Sequence, residues 1–169
     1  MLDHLLSRGY DYRLYPTQWI SGDQLTVPLF DLSNKLKGMQ TYTRDAPKKT
    51  KNPADARYFT RSFGGQPLWG REVVFPSNIV VLTESVFKSA SLHILGINSW
   101  TTLNATISKD TKKQLEALPY TFICWGDDDP AGVKFSKRMG LGLVSKDIDE
   151  LPVDEILNRL NEVLNGNSV

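Results

Sequence analysis

The sequence predicts an α/β protein in which a parallel sheet flanked by helices follows a smaller, basic α+β region. Three observations lead there. From Asn78 onward, short apolar runs alternate with stretches of helical spacing, the pattern of strands joined by helical crossovers. Before Arg71, short β-type runs are separated by glycine- and proline-rich turns. Charge divides at about the same place, with eleven Lys and Arg against seven Asp and Glu in residues 1–75, and nine against twelve in residues 76–169. The expected organisation is therefore a basic region at 1–75 and a second domain at 76–169.

In the front region, QLTVPLF (Gln24 to Phe30) and LKGMQTYTR (Leu36 to Arg44) have β-type residues and partial alternation. Asp45 to Arg57 is rich in Pro, Lys and Asp with almost nothing to bury, and reads as an exposed loop. In the back region, NIVVLTE (Asn78 to Glu84) is a continuous apolar run ending in an acid. A helix follows, with Val86, Phe87, Ala90, Ile94 and Leu95 on its apolar face. INSWTTL (Ile97 to Leu103) is strand-like, and Ser108 caps a surface helix over SKDTKKQLEAL. TFICW (Thr121 to Trp125) is a buried strand, and Pro130 takes the first position of the helix after it. LGLVS is a short strand, and Leu151 to Leu164 is a closing amphipathic helix.

Composition narrows the class. Of 169 residues, 40% are hydrophobic and 23% charged, too apolar for a disordered chain. No apolar run approaches the roughly 20 residues that cross a bilayer, so no membrane association is expected. The opening MLDHLLSRGYDYR lacks a basic region ahead of an apolar core, so a secretion signal is not expected and a cytoplasmic location is. One cysteine, Cys124, excludes an internal disulfide and a Cys-rich zinc ribbon within this chain. It reads as a small buried hydrophobe, and His93 as a packing or surface residue.

Acids mark the carboxyl ends of three successive strands, where ligands gather in a parallel sheet. Glu84 closes the first, Asp127, Asp128 and Asp129 follow the second, and Asp147 and Asp149 follow the third. Acids crowded on one rim repel one another unless a cation is present, and hard oxygen donors suit Mg²⁺ or Mn²⁺. Two such ions serve phosphoryl transfer by binding the attacking and leaving oxygens. Each acid also has a plain alternative: Asp129 as a helix cap, Asp147 and Asp149 as solvated residues ahead of the last helix, and Glu84 as a surface acid at a turn.

These blocks, in this order, resemble the TOPRIM domain shared by bacterial-type DNA primases, topoisomerases and some nucleases. VVLTESVFKSASLHILGIN is similar to its first block, WGDDDPAG to the primase form of the second, and SKDIDELPVDEIL to the primase third. In the front, LTVPLFDLSNKLKGMQTYTR with ARYFT and QPLWG resembles the basic subdomain that precedes TOPRIM in bacterial and phage primases. The resemblance implies a TOPRIM-like parallel sheet and a primase-like nucleotidyltransferase, of phage or bacterial type, that makes short RNA primers on single-stranded DNA from ribonucleoside triphosphates. The alternatives are a TOPRIM metal-dependent nuclease and a non-catalytic module that grips single-stranded nucleic acid in a replication complex. It implies Glu84, Asp127 and Asp129 as catalytic and metal-holding residues, with Asp147 and Asp149 as further ligands of Mg²⁺ or Mn²⁺. Lys35, Lys37, Arg44, Arg57, Arg61 and Lys88 are the candidates for holding template and nucleotide, whereas Lys48, Lys49 and Lys51 read as a mobile, screened patch. A helicase, or a zinc-ribbon protein acting in trans, is an implied partner. Three positions depart from the family pattern: Ser85 stands where glycine is usual, Lys88 where an acid is usual, and Asn104 where glycine is common.

Overall fold

The computed structural model describes residues 1–166. The chain opens with a short helix, α1 (Leu2–Ser7), whose Leu5 is fully buried. Strands β1 (Trp19–Ser21), β2 (Gln24–Phe30), β3 (Leu36–Thr43) and β4 (Tyr58–Ser62) then form an antiparallel meander in that order. Alternation along β3 buries Gly38, Gln40 and Tyr42 and turns Lys37, Met39 and Thr41 to the other face. β1 reaches only to Thr26 and the bridge to Leu68 lies at Phe30, so β2 has a neighbour on one side only at Pro28, which accommodates the proline. The turn into β3 is set by Asp31, whose Oδ1 accepts from the backbone N–H groups of Ser33 and Lys35.

The second sheet is parallel, with strand order β6 (Ser99–Thr101), β5 (Ile79–Thr83), β7 (Thr121–Asp127), β8 (Leu141–Ser145). Its helices are α2 (Val86–Ile94), α3 (Lys109–Glu116), α4 (Pro130–Ser136) and α5 (Val153–Leu164). Ser85, Ser108 and Asp129 cap the first three of these through their side chains. Period-two alternation sorts the core. Val80, Leu82, Phe122 and Cys124 pack with Leu115 of α3 and Phe135 of α4 on one face. Val81, Ile123 and Trp125 pack with Leu92 of α2 and with Ile156, Leu160 and Val163 of α5 on the other. Ile94 departs from the expected apolar face: it is the last residue of α2 and lies exposed at the helix end.

From β5 the chain crosses first to β6 on one side and later to β7 and β8 on the other, so a crevice opens at the carboxyl ends of β5 and β7. The two sheets do not pack as separate bodies. Val86, Phe87 and Ala90 of α2 share one core with Leu5, Tyr10 and Tyr15 and with Leu25, Val27 and Leu29 of β2. Helix α2 therefore belongs to the hydrophobic interior of both sheets. Among the described residues, no helix is long and apolar enough to cross a membrane.

Candidate active site

At the end of β5, Glu84 turns toward the end of β7, where its Oε1 accepts from the Asp127 N–H at 3.4 Å. Burial, and then the neighbouring Asp127 carboxylate, raise the proton affinity of Glu84 above that of an ordinary glutamate. Asp127 is the last residue of β7. Its position depends on a close approach of α4, since a Cβ on Gly132 would collide with the Asp127 backbone. Asp129 is exposed and caps α4, accepting from the Gly132 N–H at 2.7 Å through Oδ1. The helix-cap alternative thus describes one of its oxygens.

Lys88 is the third residue of α2 and is buried, and its Nζ donates to Asp127 Oδ1 and, at 3.0 Å, to Asp147 Oδ1. Burial alone would lower the lysine pKa, but the bonds to Asp127 and Asp147 outweigh it and hold the ammonium above its ordinary value. Asp149, in the 3₁₀ turn after β8, is committed elsewhere: Arg8 Nη2 donates to its Oδ2 at 3.0 Å. The Arg8 guanidinium also lies over the Phe87 ring, 4.3 Å from its centroid.

A basic wall adjoins this acidic rim, Arg8 bridging the two through Asp149, and together they line a cleft of about 510 Å³. Arg8, Lys48, Arg57, Gln40 and Tyr58 form the wall, and Glu84, Lys88, Asp147, Asp149 and Glu150 the rim. Tyr58 is partly exposed and packs against Tyr42, the ring centroids 5.2 Å apart. Leu103, with a left-handed φ of 63°, closes one end.

The structure therefore brings Glu84, Lys88, Asp147, Asp149 and Arg57 to one cleft, with Asp127 bonded to Glu84 and Lys88 beside it. It does not bring the other basic candidates there. Lys37 pairs with Asp31 at 3.5 Å, and Arg44 with Asp45 at 3.3 Å. Lys35 is exposed in the β2–β3 turn. Arg61 stands opposite Met39, on the face of the first sheet away from Gln40 and Tyr42. Arg8 and Lys48 enter the cleft instead. Nothing local in the sequence marks Arg8, whose acidic partner is 141 residues away. Lys48 sits in a loop whose composition signals exposure only.

The five acids supply the hard oxygens that Mg²⁺ or Mn²⁺ prefers. Yet among the described residues no three carboxylates, imidazoles or thiols converge on one cation position. Lys88 fills the place between Asp127 and Asp147, and Arg8 engages Asp149. As arranged, these residues do not fit a pair of divalent ions.

The other conspicuous groups are structural. His93 is buried, its Nε2 donating to the Ser99 carbonyl at 2.7 Å and its Nδ1 accepting from the Tyr15 hydroxyl at 3.0 Å. Cys124 is fully buried within β7, and burial pushes its thiol up to about 12. Trp69 packs in the shared core.

The fold is that of the catalytic core of DnaG primases. The Aquifex aeolicus primase, in a structure of its zinc-binding and RNA polymerase domains, is similar with a TM-score of 0.63 at 17% identity, covering 97% of this chain and 55% of that one. A DNA primase domain from Pseudomonas aeruginosa has a TM-score of 0.61 at 19% identity, covering 95% of this chain and 58% of that one. A DnaG primase catalytic domain bound to single-stranded DNA also has a TM-score of 0.61, at 15% identity, covering 95% of this chain and 60% of that one. This chain thus spans little more than half the length of those structures. No family model and no curated protein matches the sequence.

Proposed function

We propose that this chain is the core of a primase-type nucleotidyltransferase, which joins ribonucleotides on a single-stranded DNA template within the cleft. The observation that carries this reading is a single cleft lined by a basic, aromatic-bearing wall and an acidic rim, on a fold shared with primase catalytic cores. One of those similar structures is bound to single-stranded DNA, which is the partner proposed here.

In the proposed reaction, the 3′-hydroxyl oxygen of one nucleotide forms a bond to the α-phosphorus of the next. The bond from that phosphorus to the bridging oxygen breaks, and pyrophosphate leaves. Glu84 suits the role of proton acceptor, because Oε1 is held by the Asp127 N–H and its proton affinity is raised. The Lys88 ammonium, beneath Asp127 and Asp147, suits offsetting the negative charge of the rim as phosphates approach it. Arg8, Lys48 and Arg57, which line the cleft, suit holding template or triphosphate, Arg in two-pronged fashion and Lys as a point charge. Tyr58, the accessible aromatic ring of the wall, suits stacking on a base. Asp127 anchors Lys88, and Asp129 shapes the start of α4 beside them.

The test is incorporation of labelled ribonucleotides on single-stranded DNA with Mg²⁺ or Mn²⁺, alone and with a zinc-ribbon protein or helicase added. Template-dependent product in the wild type, lost in Asp127→Asn and Glu84→Gln, is the expected result. DNA retained without product under every condition overturns primer synthesis. Product that survives both substitutions places the chemistry elsewhere.

A further inference from the structure

Lys88 is the only buried lysine or arginine among the described residues. Its side chain is 6% exposed, whereas those of its partners Asp127 and Asp147 are 37% and 54% exposed. The ammonium thus lies beneath the carboxylates rather than above them in solvent. It is fixed there by a buried stem on α2, whose neighbours Phe87 and Ala90 belong to the shared core. Its two contacts come from the ends of adjacent strands, Asp127 closing β7 and Asp147 following β8.

A magnesium ion joining those carboxylates would need oxygens at roughly 2.0–2.1 Å in octahedral array. The space between them holds an ammonium instead. A divalent ion within about 4 Å of that fixed charge would meet repulsion twice that between single charges. Expelling the ammonium would leave a buried stem with an unpaired charge, the costly way to break such a pair.

We propose that the Lys88 ammonium is the resident cation on the Asp127–Asp147 side of this rim, in place of a divalent metal ion. Charge that a soluble ion would bring, and a chelator would remove, is here a covalent part of the chain. The inference rests on the rim geometry and holds whether or not the cleft makes primers.

The experiment titrates the full chain with Mn²⁺ alone and follows free Mn²⁺ by electron paramagnetic resonance. Asp147→Asn alters an exposed side chain and keeps the fold within reach. It is expected to bind Mn²⁺ within twofold of the wild type, because Asp147 serves lysine and not metal. Lys88→Met is expected to bind Mn²⁺ at least tenfold more tightly, and Lys88→Asp to gain an additional bound ion. A tenfold loss of Mn²⁺ affinity in Asp147→Asn would overturn the proposal, as would folded Lys88→Met binding Mn²⁺ no better than the wild type. Neither result depends on nucleotide incorporation, so failure of primer synthesis and failure of this inference are separately visible.

Discussion

Arg8 and Asp149 tie the first helix to the last acidic turn, and the pair is unequal. Asp149 is 9% exposed at its side chain and Arg8 32%. Removing the arginine leaves a nearly buried carboxylate without its partner, which costs more than removing both charges together. Arg8→Met is expected to lose about 2 kcal/mol in urea unfolding. Arg8→Met combined with Asp149→Asn should recover most of that loss, and additive losses would show that the two side chains are not coupled. A second residue-scale expectation concerns His93. Burial pulls its pKa from 6.5 down to about 4, with the Ser99 carbonyl opposing, so the folded protein holds the neutral ring where the unfolded chain would take a proton. Its contribution is complete above pH 6.5, falls as pH drops toward 4, and is flat below that. The loss over this window is roughly 3 kcal/mol. Unfolding free energies measured from pH 7.5 to 4 should show that slope in the wild type and a shallower one in His93→Gln.

At the scale of elements, the start of α4 separates two uses of one carboxylate. Asp129 accepts the Gly132 N–H whether or not it also takes part in chemistry. Asparagine keeps a capping oxygen and alanine does not. Asp129→Asn should therefore unfold within a few tenths of a kcal/mol of the wild type, while Asp129→Ala loses about 1 kcal/mol. Equal losses in both would mean that the carboxylate charge, not the cap bond, stabilises this turn. Next to it, Gly132→Ala should destabilise by about 1–3 kcal/mol, because the added methyl forces α4 away from the Asp127 backbone.

The same elements show what could be read in advance. β5 and β7 are legible as uninterrupted apolar runs because both faces of a parallel sheet are covered, and Ser108 and Pro130 mark helix starts through local chemistry, whereas the capping role of Ser85 emerges only in the structure. β4 is not, since four of its five residues are exposed and its pairing with β3 is the source of its order. α1 escapes because six residues bury only Leu5. In the site, the link from Lys88 to the acids follows from its position one helical turn after Glu84. The pairing of Arg8 with Asp149, and the turning of Lys37 and Arg61 away from the cleft, depend on long-range register that no local pattern encodes.

For the whole molecule, a net charge of +1 hides a cleft lined by both signs of charge. If Arg8, Lys48 and Arg57 each engage a phosphate, single-stranded DNA binding should weaken roughly 20-fold between 50 and 200 mM salt, from a slope of about −0.7 per phosphate. Arg57→Ala should flatten that slope by about 0.7 in a fluorescence-anisotropy titration. A slope near zero would remove the basic wall from the binding surface. Helix α2 then sets how this molecule can move. Because Val86, Phe87 and Ala90 are packed into the interior beneath the antiparallel sheet while Leu92 is packed against the parallel one, the walls of the cleft have no joint between them. Jaws that close on a guest need a hinge, and here the hinge position is occupied by solid core. The gap is therefore expected to keep its width with or without an occupant, so a strand bound as proposed would fit a fixed slot rather than be clasped.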